Sequence, residues 1–173
     1  MTNSAGELIA ALFASIVFQS AFPAGGHPKV IGWAEEGLIW PERIAVRAKL
    51  DTDSSTSSID VKQLALFKKG DVQWARFNIA LKDNNDGLPI NQSFEREIVG
   101  HSPENQTSTT GKRPIVEMDV CFGQSVYKEN FTLDDRSKML YPMIIGQHLI
   151  AKLGFVDASK TFTVEPHCVA IGQ

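Results

Sequence analysis

From residue 30 onward the chain alternates between short apolar runs and turn residues, without a long stretch at the 3.6-residue period of a helix. Residues 42–50 show this best, because every second position from Ile44 to Leu50 is apolar, as in a strand buried on one face. β-Branched and aromatic residues dominate several of the other apolar runs. The pattern predicts a fold built mostly of strands.

Two polar turns are expected to connect hairpins, at Lys69-Gly70-Asp71 and at Gly123-Gln124. Many short strands at this spacing indicate a small β-barrel or sandwich. The further predicted elements are strands at 61–68, 72–81, 114–122, 125–133, 155–156 and 161–164, exposed loops at 82–89 and 101–112, and a short helix at 147–152.

The amino-terminal segment differs from the rest, because residues 8–22 are apolar and uncharged. This stretch is shorter than the ~20 residues that a membrane-spanning helix needs, and it fits the apolar region of a secretory signal. The residues before it include neither Lys nor Arg, so a buried amino-terminal helix is the alternative. We expect a signal peptide over residues 1–24, a flexible junction over 25–29 and a folded domain over 30–173. The mature protein would then be periplasmic or secreted, with no stable membrane span.

The composition and the charge of the chain exclude some classes of function. The chain has 173 residues, of which 43% are hydrophobic and 21% charged, which is ordinary for one globular domain. Its 17 basic and 20 acidic side chains give a net charge of −3, so no electropositive field points to nucleic acid as a partner. Cys121 and Cys168 permit at most one disulfide within the chain, and whether they pair stays open, conditional on export.

Two short stretches carry the candidate chemistry. In residues 48–59, an apolar strand runs into Asp51-Thr52, and small hydroxyl residues follow before a strand restarts. By itself this pattern is typical of an Asx or Ser/Thr turn between strands. In residues 141–149, an apolar strand leads to Gly146 and then to a short helical turn.

Together the two stretches resemble the Asp-Thr-Gly turn and the later apolar-apolar-Gly strand of the retropepsin-like aspartic proteases. More narrowly, the chain is similar to the bacterial group labelled ATP-dependent zinc proteases. The resemblance covers residues 30–165, and its motifs occur in the same order. Besides the two stretches, the shared motifs are Ile31-Gly32-Trp33, Trp40-Pro41, Thr56-Ser57-Ser58, residues 111–116, 120–123 and 132–136, Met139, and residues 156–159.

This resemblance implies an all-β, small closed acid-protease barrel with one short helix, following the amino-terminal apolar segment. It also implies peptide hydrolysis by a homodimer, in which Asp51 of each subunit meets at a two-fold axis. The substrate would be a peptide or protein, and no cofactor is implied by the residues. The hairpin at Gly70 is a candidate for the flap that closes over the substrate. The residues expected to support the active-site loop are Thr52, bonding across the axis, Thr56, beneath the turn, and Asp53, Gly146 and Arg136.

The chain departs from the family pattern at two positions of this site. Asp53 stands where the motif has glycine, which adds a side chain and two more carboxylates to the dimer. Extra negative charge favours protonation of the Asp51 pair and would weaken its action as a base. Gln147 replaces the arginine that usually follows the glycine. A catalytically degenerate peptide-binding or scaffold protein is therefore the alternative function.

A zinc-dependent peptidase is the third hypothesis. Glu165, His167 and Cys168 lie close together in the sequence, and Cys121 is a further potential zinc ligand. The chain has no His-Glu-x-x-His or Cys-x-x-Cys motif and no Gly-rich Lys-Ser/Thr loop for ATP phosphates. We therefore predict no metal site and no nucleotide cofactor.

Overall fold

The computed structural model describes residues 29–82, 87–102 and 112–169. The predicted signal peptide, residues 25–28 of the junction and most of the predicted loop at 101–112 lie outside the described residues. Within the described ranges no helix is long and apolar enough to span a bilayer. The elements are β1 (Val30–Trp40), β2 (Ile44–Leu50), β3 (Ser57–Asp60), β4 (Lys62–Lys69), β5 (Val72–Lys82), β6 (Pro89–His101), β7 (Pro114–Phe122), β8 (Ser125–Asp134), β9 (Met143–Ile145), α1 (Gln147–Leu153) and β10 (Phe155–Thr161).

Six of these strands close into a barrel in the order β1-β2-β9-β3-β8-β7. The ring closes because β1 also pairs antiparallel with β7, from Leu38 opposite Cys121 to Trp40 opposite Asp119. The prediction of a small closed β-barrel with one helix is confirmed. Outside the ring, β10 lies parallel to β1, and β6, β5 and β4 extend the sheet beyond β7.

The barrel core follows the alternation seen in the sequence. In β2, Ile44, Val46, Ala48 and Leu50 are buried, while the residues between them are partly or fully exposed. The same alternation begins β7, and both predicted hairpins form. Beyond the ring, Phe77 of β5 lies opposite Phe94 of β6; both are buried, and their rings stack with centroids 5.7 Å apart.

Three elements differ from the sequence-based expectation. β6 was not predicted, because most of its residues are polar or exposed; pairing with β5 from Trp74–Glu97 to Lys82–Pro89 makes it a strand. The same pairing makes Lys82 and Pro89, the two ends of the predicted loop at 82–89, the last residue of β5 and the first residue of β6. The predicted strand at 161–164 is wrong, because β10 ends at Thr161. Beyond it, the Phe162 N–H donates to the Ala34 carbonyl, and the next two N–H groups donate to the Glu35 side chain.

The carboxyl-terminal tail is held by a buried carboxylate and a disulfide. Glu35 is 1% exposed and accepts the N–H groups of Gly32, Thr163 and Val164 as well as the Thr163 hydroxyl. Because Thr163 and Val164 donate to the Glu35 carboxylate, the tail is held at Glu35 rather than continuing as a strand of the sheet. A disulfide joins the two cysteines, Cys121 and Cys168, whose Cα atoms are 6.1 Å apart.

Candidate active site

The loop that carries Asp51 begins where β2 ends, beside the end of β9 and the start of β3. β9 lies between β2 and β3, parallel to β2 and antiparallel to β3. Asp51 directly follows β2, and its backbone N–H donates to the Ile145 carbonyl at 2.9 Å. This bond brings Asp51 beside Gly146, although the two residues are far apart in the sequence. The geometry agrees with the expected neighbourhood of the aspartate turn and the glycine.

Internal hydrogen bonds fix the turn that follows Asp51. The Asp53 N–H donates to Asp51 Oδ1 at 3.2 Å, which makes an Asx turn. The Ser54 N–H donates to the Asp51 carbonyl at 3.3 Å, and its hydroxyl donates to the Thr56 carbonyl at 2.8 Å. Thr52, Asp53 and Thr56 are exposed. Thr56 therefore supports the turn through its backbone rather than through its side chain.

Gln147 secures the loop from the start of the helix. Its backbone N–H donates to the Ser54 carbonyl at 2.8 Å, and its side-chain Nε2 donates to the Thr52 carbonyl at 2.6 Å. The replacement of the family's arginine by glutamine thus leaves the loop tied to α1, by neutral hydrogen bonds.

Asp53 fits its position without backbone strain. Among the described residues, positive φ angles at non-glycine positions occur at Arg43, Gln63 and Phe162, and Asp53 is not one of them. The turn therefore does not require the conformational freedom of glycine at this position. What Asp53 changes is the charge and bulk at the exposed tip of the loop.

A buried polar pair lies beneath the loop, and sequence reasoning did not identify it as part of the site. The Ser57 hydroxyl donates to Glu129 Oε1 at 2.9 Å and accepts the Gly146 N–H at 3.0 Å. Ser57 is fully buried and Glu129 is 6% exposed. Glu129 thus acts on the loop through Ser57 and Gly146. Its place at the middle of a strand gave no sequence signal, because its partner is 72 residues away.

A cleft of about 600 Å³ opens beside the Asp51 carboxylate. The side chain of Asp51 is 30% exposed, and Lys49 Nζ lies 3.5 Å from its Oδ2. Trp33 and Tyr141 meet edge to face on one wall, with ring centroids 5.7 Å apart, so this tryptophan lines the site as well as packing. The lining residues are Trp33, Lys49, Asp51, Ser54, Thr56, Ser58, Arg113, Thr132, Asp134, Arg136, Met139, Leu140, Tyr141 and Ile144.

Arg136, expected from the sequence to support this region, also lines the cleft. Its backbone N–H donates to Asp60 Oδ1 at 2.6 Å, and its guanidinium donates to the Tyr141 carbonyl and the Ser58 hydroxyl, both at 3.3 Å. Burial lowers the pKa of Arg136 from its ordinary value, while the carboxylates of Asp134, Asp60 and Asp51 oppose this shift. Arginine nevertheless stays charged across the physiological range.

A second arginine in the cleft, Arg113, belongs to the shared motif at residues 111–116 but was not among the predicted site residues. Its Nη1 forms an ion pair with Asp134 Oδ2. Asp134 is the last residue of β8 and Arg113 directly precedes β7, so the pair joins the start of β7 to the end of β8 at the cleft. The carboxylate of Asp134 is thus paired with an arginine, whereas the cation paired with Asp51 is the more exposed Lys49.

The hairpin considered as a flap and the residues considered as zinc ligands do not line the cleft beside Asp51. The Gly70 hairpin forms, but β4 and β5 contribute none of the cleft-lining residues, so its role as a flap stays a prediction. Cys121 and Cys168 are joined to each other, which removes both thiolates from the zinc ligands considered above. In the part of the chain that the structure describes, no group of three or more His, Cys, Asp or Glu residues is arranged to hold a metal ion.

Sequence comparison assigns the domain to a family. The sequence model described as "Retropepsin-like aspartic endopeptidase RimB" matches residues 30–167. The chain belongs to the RimB-like family. The match begins with β1, spans the aspartate loop, the glycine and the helix, and ends in the tail beside the disulfide. It confirms the resemblance to retropepsin-like proteases on which the site residues were chosen.

Individual relatives of this RimB-like chain carry other descriptions. A solved structure from Legionella pneumophila, of a protein with unknown function (DUF785), superposes with a TM-score of 0.65 at 27% identity, covering 79% of this chain and 98% of that one. A "Probable alpha-L-glutamate ligase" of Shewanella pealeana is 23% identical over 82% of this chain and 27% of that protein. A protein of the same name from Parasynechococcus marenigrum is 21% identical over 65% and 24%, respectively. The chain thus spans about a quarter of these curated relatives.

Proposed function

We propose that this RimB-like domain is an aspartic-type endopeptidase that acts as a homodimer through Asp51. The observation that carries the proposal is the position of the Asp51 carboxylate. It lies in an open cleft, on a loop fixed by hydrogen bonds to β9 and α1. A partly exposed carboxylate on a rigid loop meets the geometric requirement for a general acid or base.

The need for a second copy follows from the number of available carboxylates. Aspartic peptidases use two carboxylates that share one proton. Of the described residues that line the cleft, the other carboxylate belongs to Asp134, which is bound to Arg113. Thr52 and Asp53 are exposed at the tip of the loop, where a two-fold axis would bring identical loops together. The second catalytic carboxylate would therefore be Asp51 of the partner.

In the proposed mechanism the ionised carboxylate of the Asp51 pair takes a proton from a water molecule. The hydroxide so formed attacks the carbon of the scissile carbonyl, and the protonated carboxylate donates its proton to the carbonyl oxygen. Collapse of the tetrahedral intermediate breaks the C–N bond, and a proton returned by the pair neutralises the leaving amine. Gln147 and Ser57 hold the loop in place but do not touch the reacting atoms.

Peptide-library cleavage between pH 3 and 8 tests the proposal. We expect cleavage by the wild-type protein, loss in Asp51→Asn, and little change in Asp71→Asn, which removes the same charge from an exposed hairpin turn. Activity should be insensitive to chelators, and an excess of Asp51→Asn should inhibit the wild type by forming mixed dimers. Cleavage that survives Asp51→Asn would exclude the aspartic mechanism.

A non-catalytic peptide-binding protein is the second candidate. The observation that favours it is Asp53, which would add a carboxylate per subunit beside the Asp51 pair. A folded dimer that binds peptides in the cleft but cleaves none at any pH would support this candidate. It would contradict the peptidase proposal, because the loop would then be intact without being active.

Export to an oxidising compartment is a further part of the proposal. The Cys121–Cys168 disulfide supports it, because such bonds persist in the periplasm and outside the cell and are rare in the cytosol. Fractionation of cells that express the full chain, with the mass of the mature protein measured, tests both export and cleavage of the predicted signal.

A further inference from the structure

We propose that a second cavity, lined by β7, β8 and α1, is an effector site for a small zwitterion such as a free amino acid. Its volume is about 390 Å³, and the residues that line it are Glu117, Lys128, Glu129, Asn130, His148 and Lys152. None of them lines the cleft beside Asp51. Binding of the ligand is measurable whether or not the domain is a peptidase, whereas its effect on catalysis rests on the proposed function.

One oxygen of the Glu129 carboxylate has no donor in the described part of the chain. Glu129 is 6% exposed, and its Oε1 accepts the Ser57 hydroxyl at 2.9 Å. Since the fully buried side-chain oxygens of the described residues all have partners, the unpaired Oε2 retains access to the cavity that Glu129 lines. A nearly desolvated carboxylate oxygen without a donor favours a ligand that carries an ammonium group.

Two side chains of α1 offer donors to the same cavity. His148 and Lys152 are four positions apart, which places them on one face of the helix. Both are exposed, and among the described residues neither has an ion-pair partner. Lys128, by contrast, is already bound to Glu117 at 2.7 Å. Lys152, with His148 beside it, therefore favours a carboxylate as the second group of the ligand.

The charges of this cavity are separated rather than paired. Within the described ranges, neither His148 nor Lys152 lies within ion-pair distance of Glu129. An α-amino acid carries an ammonium and a carboxylate on one carbon atom, so it can contact both kinds of group at once. A metal ion fits less well, because no group of three or more His, Cys, Asp or Glu among the described residues is arranged to hold one. A simple anion would leave the Glu129 Oε2 unpaired.

Glu129 links the cavity to the aspartate loop. The Ser57 hydroxyl, which donates to Glu129, accepts the Gly146 N–H at 3.0 Å, and Gly146 lies against the backbone of Thr56 in the loop. A ligand ammonium at Oε2 would therefore act on the carboxylate that orients Ser57. Free amino acids are one source of such a ligand. Short peptides released by a peptidase are another, because they also carry both an amino and a carboxyl terminus.

An NMR titration that follows the backbone amide signals tests the site on the full wild-type chain. Each standard amino acid is added in turn, followed by the amide and the N-acetyl derivative of the one that binds most tightly. We expect saturable shifts of the His148, Lys152 and Gly146 signals. Each derivative should bind at least about tenfold more weakly, because it lacks one of the two charge-assisted contacts.

A dipeptide of the same amino acid distinguishes the two sources of ligand. Tighter binding than that of the amino acid would assign the site to short peptides, and weaker binding would assign it to free amino acids. The proposal would be overturned by the absence of saturable binding, by equal binding of either derivative, or by shifts confined to Trp33 and Tyr141 in the cleft.

Matched variants assign the two contacts. Lys152→Gln should weaken binding of the amino acid about tenfold and leave binding of its amide unchanged, since the amide lacks the carboxylate. Glu129→Gln, which keeps an oxygen for the Ser57 hydroxyl, should weaken binding of the amino acid and leave that of the N-acetyl derivative unchanged. Lys68→Gln removes the same charge as Lys152→Gln from an exposed position of β4 and should bind like the wild type. Full affinity in folded Lys152→Gln protein would contradict the site, and this comparison decides if Glu129→Gln fails to fold.

Cleavage assays separate the effector site from the proposed peptidase. If both are correct, saturating ligand should change kcat with little change in KM, because Ser57 and Gly146 hold the loop without touching the substrate. The same ligand should have no effect on Lys152→Gln. Binding that leaves kcat unchanged would contradict the coupling to the loop. Binding without cleavage under any condition would retain the site and remove the peptidase, and cleavage without binding would do the opposite.

Discussion

Gly146 and Thr56 are in direct backbone contact at the base of the aspartate loop. A Cβ atom at position 146 would lie 2.6 Å from the Thr56 carbonyl carbon and 2.7 Å from its oxygen. The φ angle of Gly146 is −89°, which other residues adopt without strain. Glycine is therefore required here for space, and the contact sets the distance between the loop and the helix.

Gly146→Ala should displace the loop and reduce both stability and activity. The added methyl meets backbone atoms that cannot rotate away, so we expect a loss of about 1–3 kcal/mol in the free energy of unfolding, as for overpacked cores. Urea unfolding measures it. Gly100→Ala is the control, because its new Cβ would meet only Ile115 Cδ1, at 4.0 Å. Equal unfolding midpoints for the two variants would contradict the steric explanation.

Asp53→Gly should raise kcat/KM if the domain is a peptidase weakened by the charge at the tip of its loop. The position has no positive φ, so the gain would come from less negative charge and less bulk beside the Asp51 pair. Asp53→Asn separates these two causes, because it removes the charge and keeps the size. If neither variant changes the rate measured on the cleaved library peptides, Asp53 is not what limits the activity.

Removal of the disulfide should destabilise the domain without changing the aspartate loop. The bond closes a sequence separation of 47 residues, and its loss in a Cys121→Ser, Cys168→Ser protein should cost about 2–4 kcal/mol. Denaturant unfolding measures the change, and reduction of the wild type should lower its midpoint to that of the double variant. A reductant effect that persists in the double variant would show that the shift has another cause.

The ionised carboxylate of Asp157 should contribute to stability above pH ~4 and lose this contribution in acid. The Ser159 hydroxyl and N–H and the Lys160 ammonium lower the pKa of Asp157 to about 2. Because this pKa lies below the value of about 3.9 expected in the unfolded chain, the carboxylate stabilises the fold above pH ~4. That contribution is lost as the pH falls toward 2.

The matching variant is Asp157→Asn, followed by thermal melting from pH 6 to pH 2. It should melt below the wild type near neutral pH, and the difference should narrow as the pH falls through the acid range. Asp71→Asn, at an exposed turn, controls for the general loss of one negative charge. A difference that stays constant with pH would exclude the ionised Asp157 as its source.

Local patterns predicted much of this fold. Alternation over two residues identified β2 and the hairpin of β7 and β8, and a glycine before an apolar turn located the helix. The same local rule failed for β6, whose residues are mostly polar, because a strand at the sheet extension is defined by its neighbours rather than by its own burial.

The candidate site, like the fold, was predictable from local sequence only in part. The sequence by itself determined that Asp51 ends an apolar strand in a turn of small hydroxyl residues, and the resemblance to a family gave this turn its chemical meaning. Only the tertiary structure decided that Arg136 lines the cleft without an ion-pair partner among the described residues, and that Glu129 lies beneath Gly146. The physical reason is that side-chain periodicity reports burial along one element. Which charges meet is set instead by strand order and barrel closure, which join residues distant in the chain.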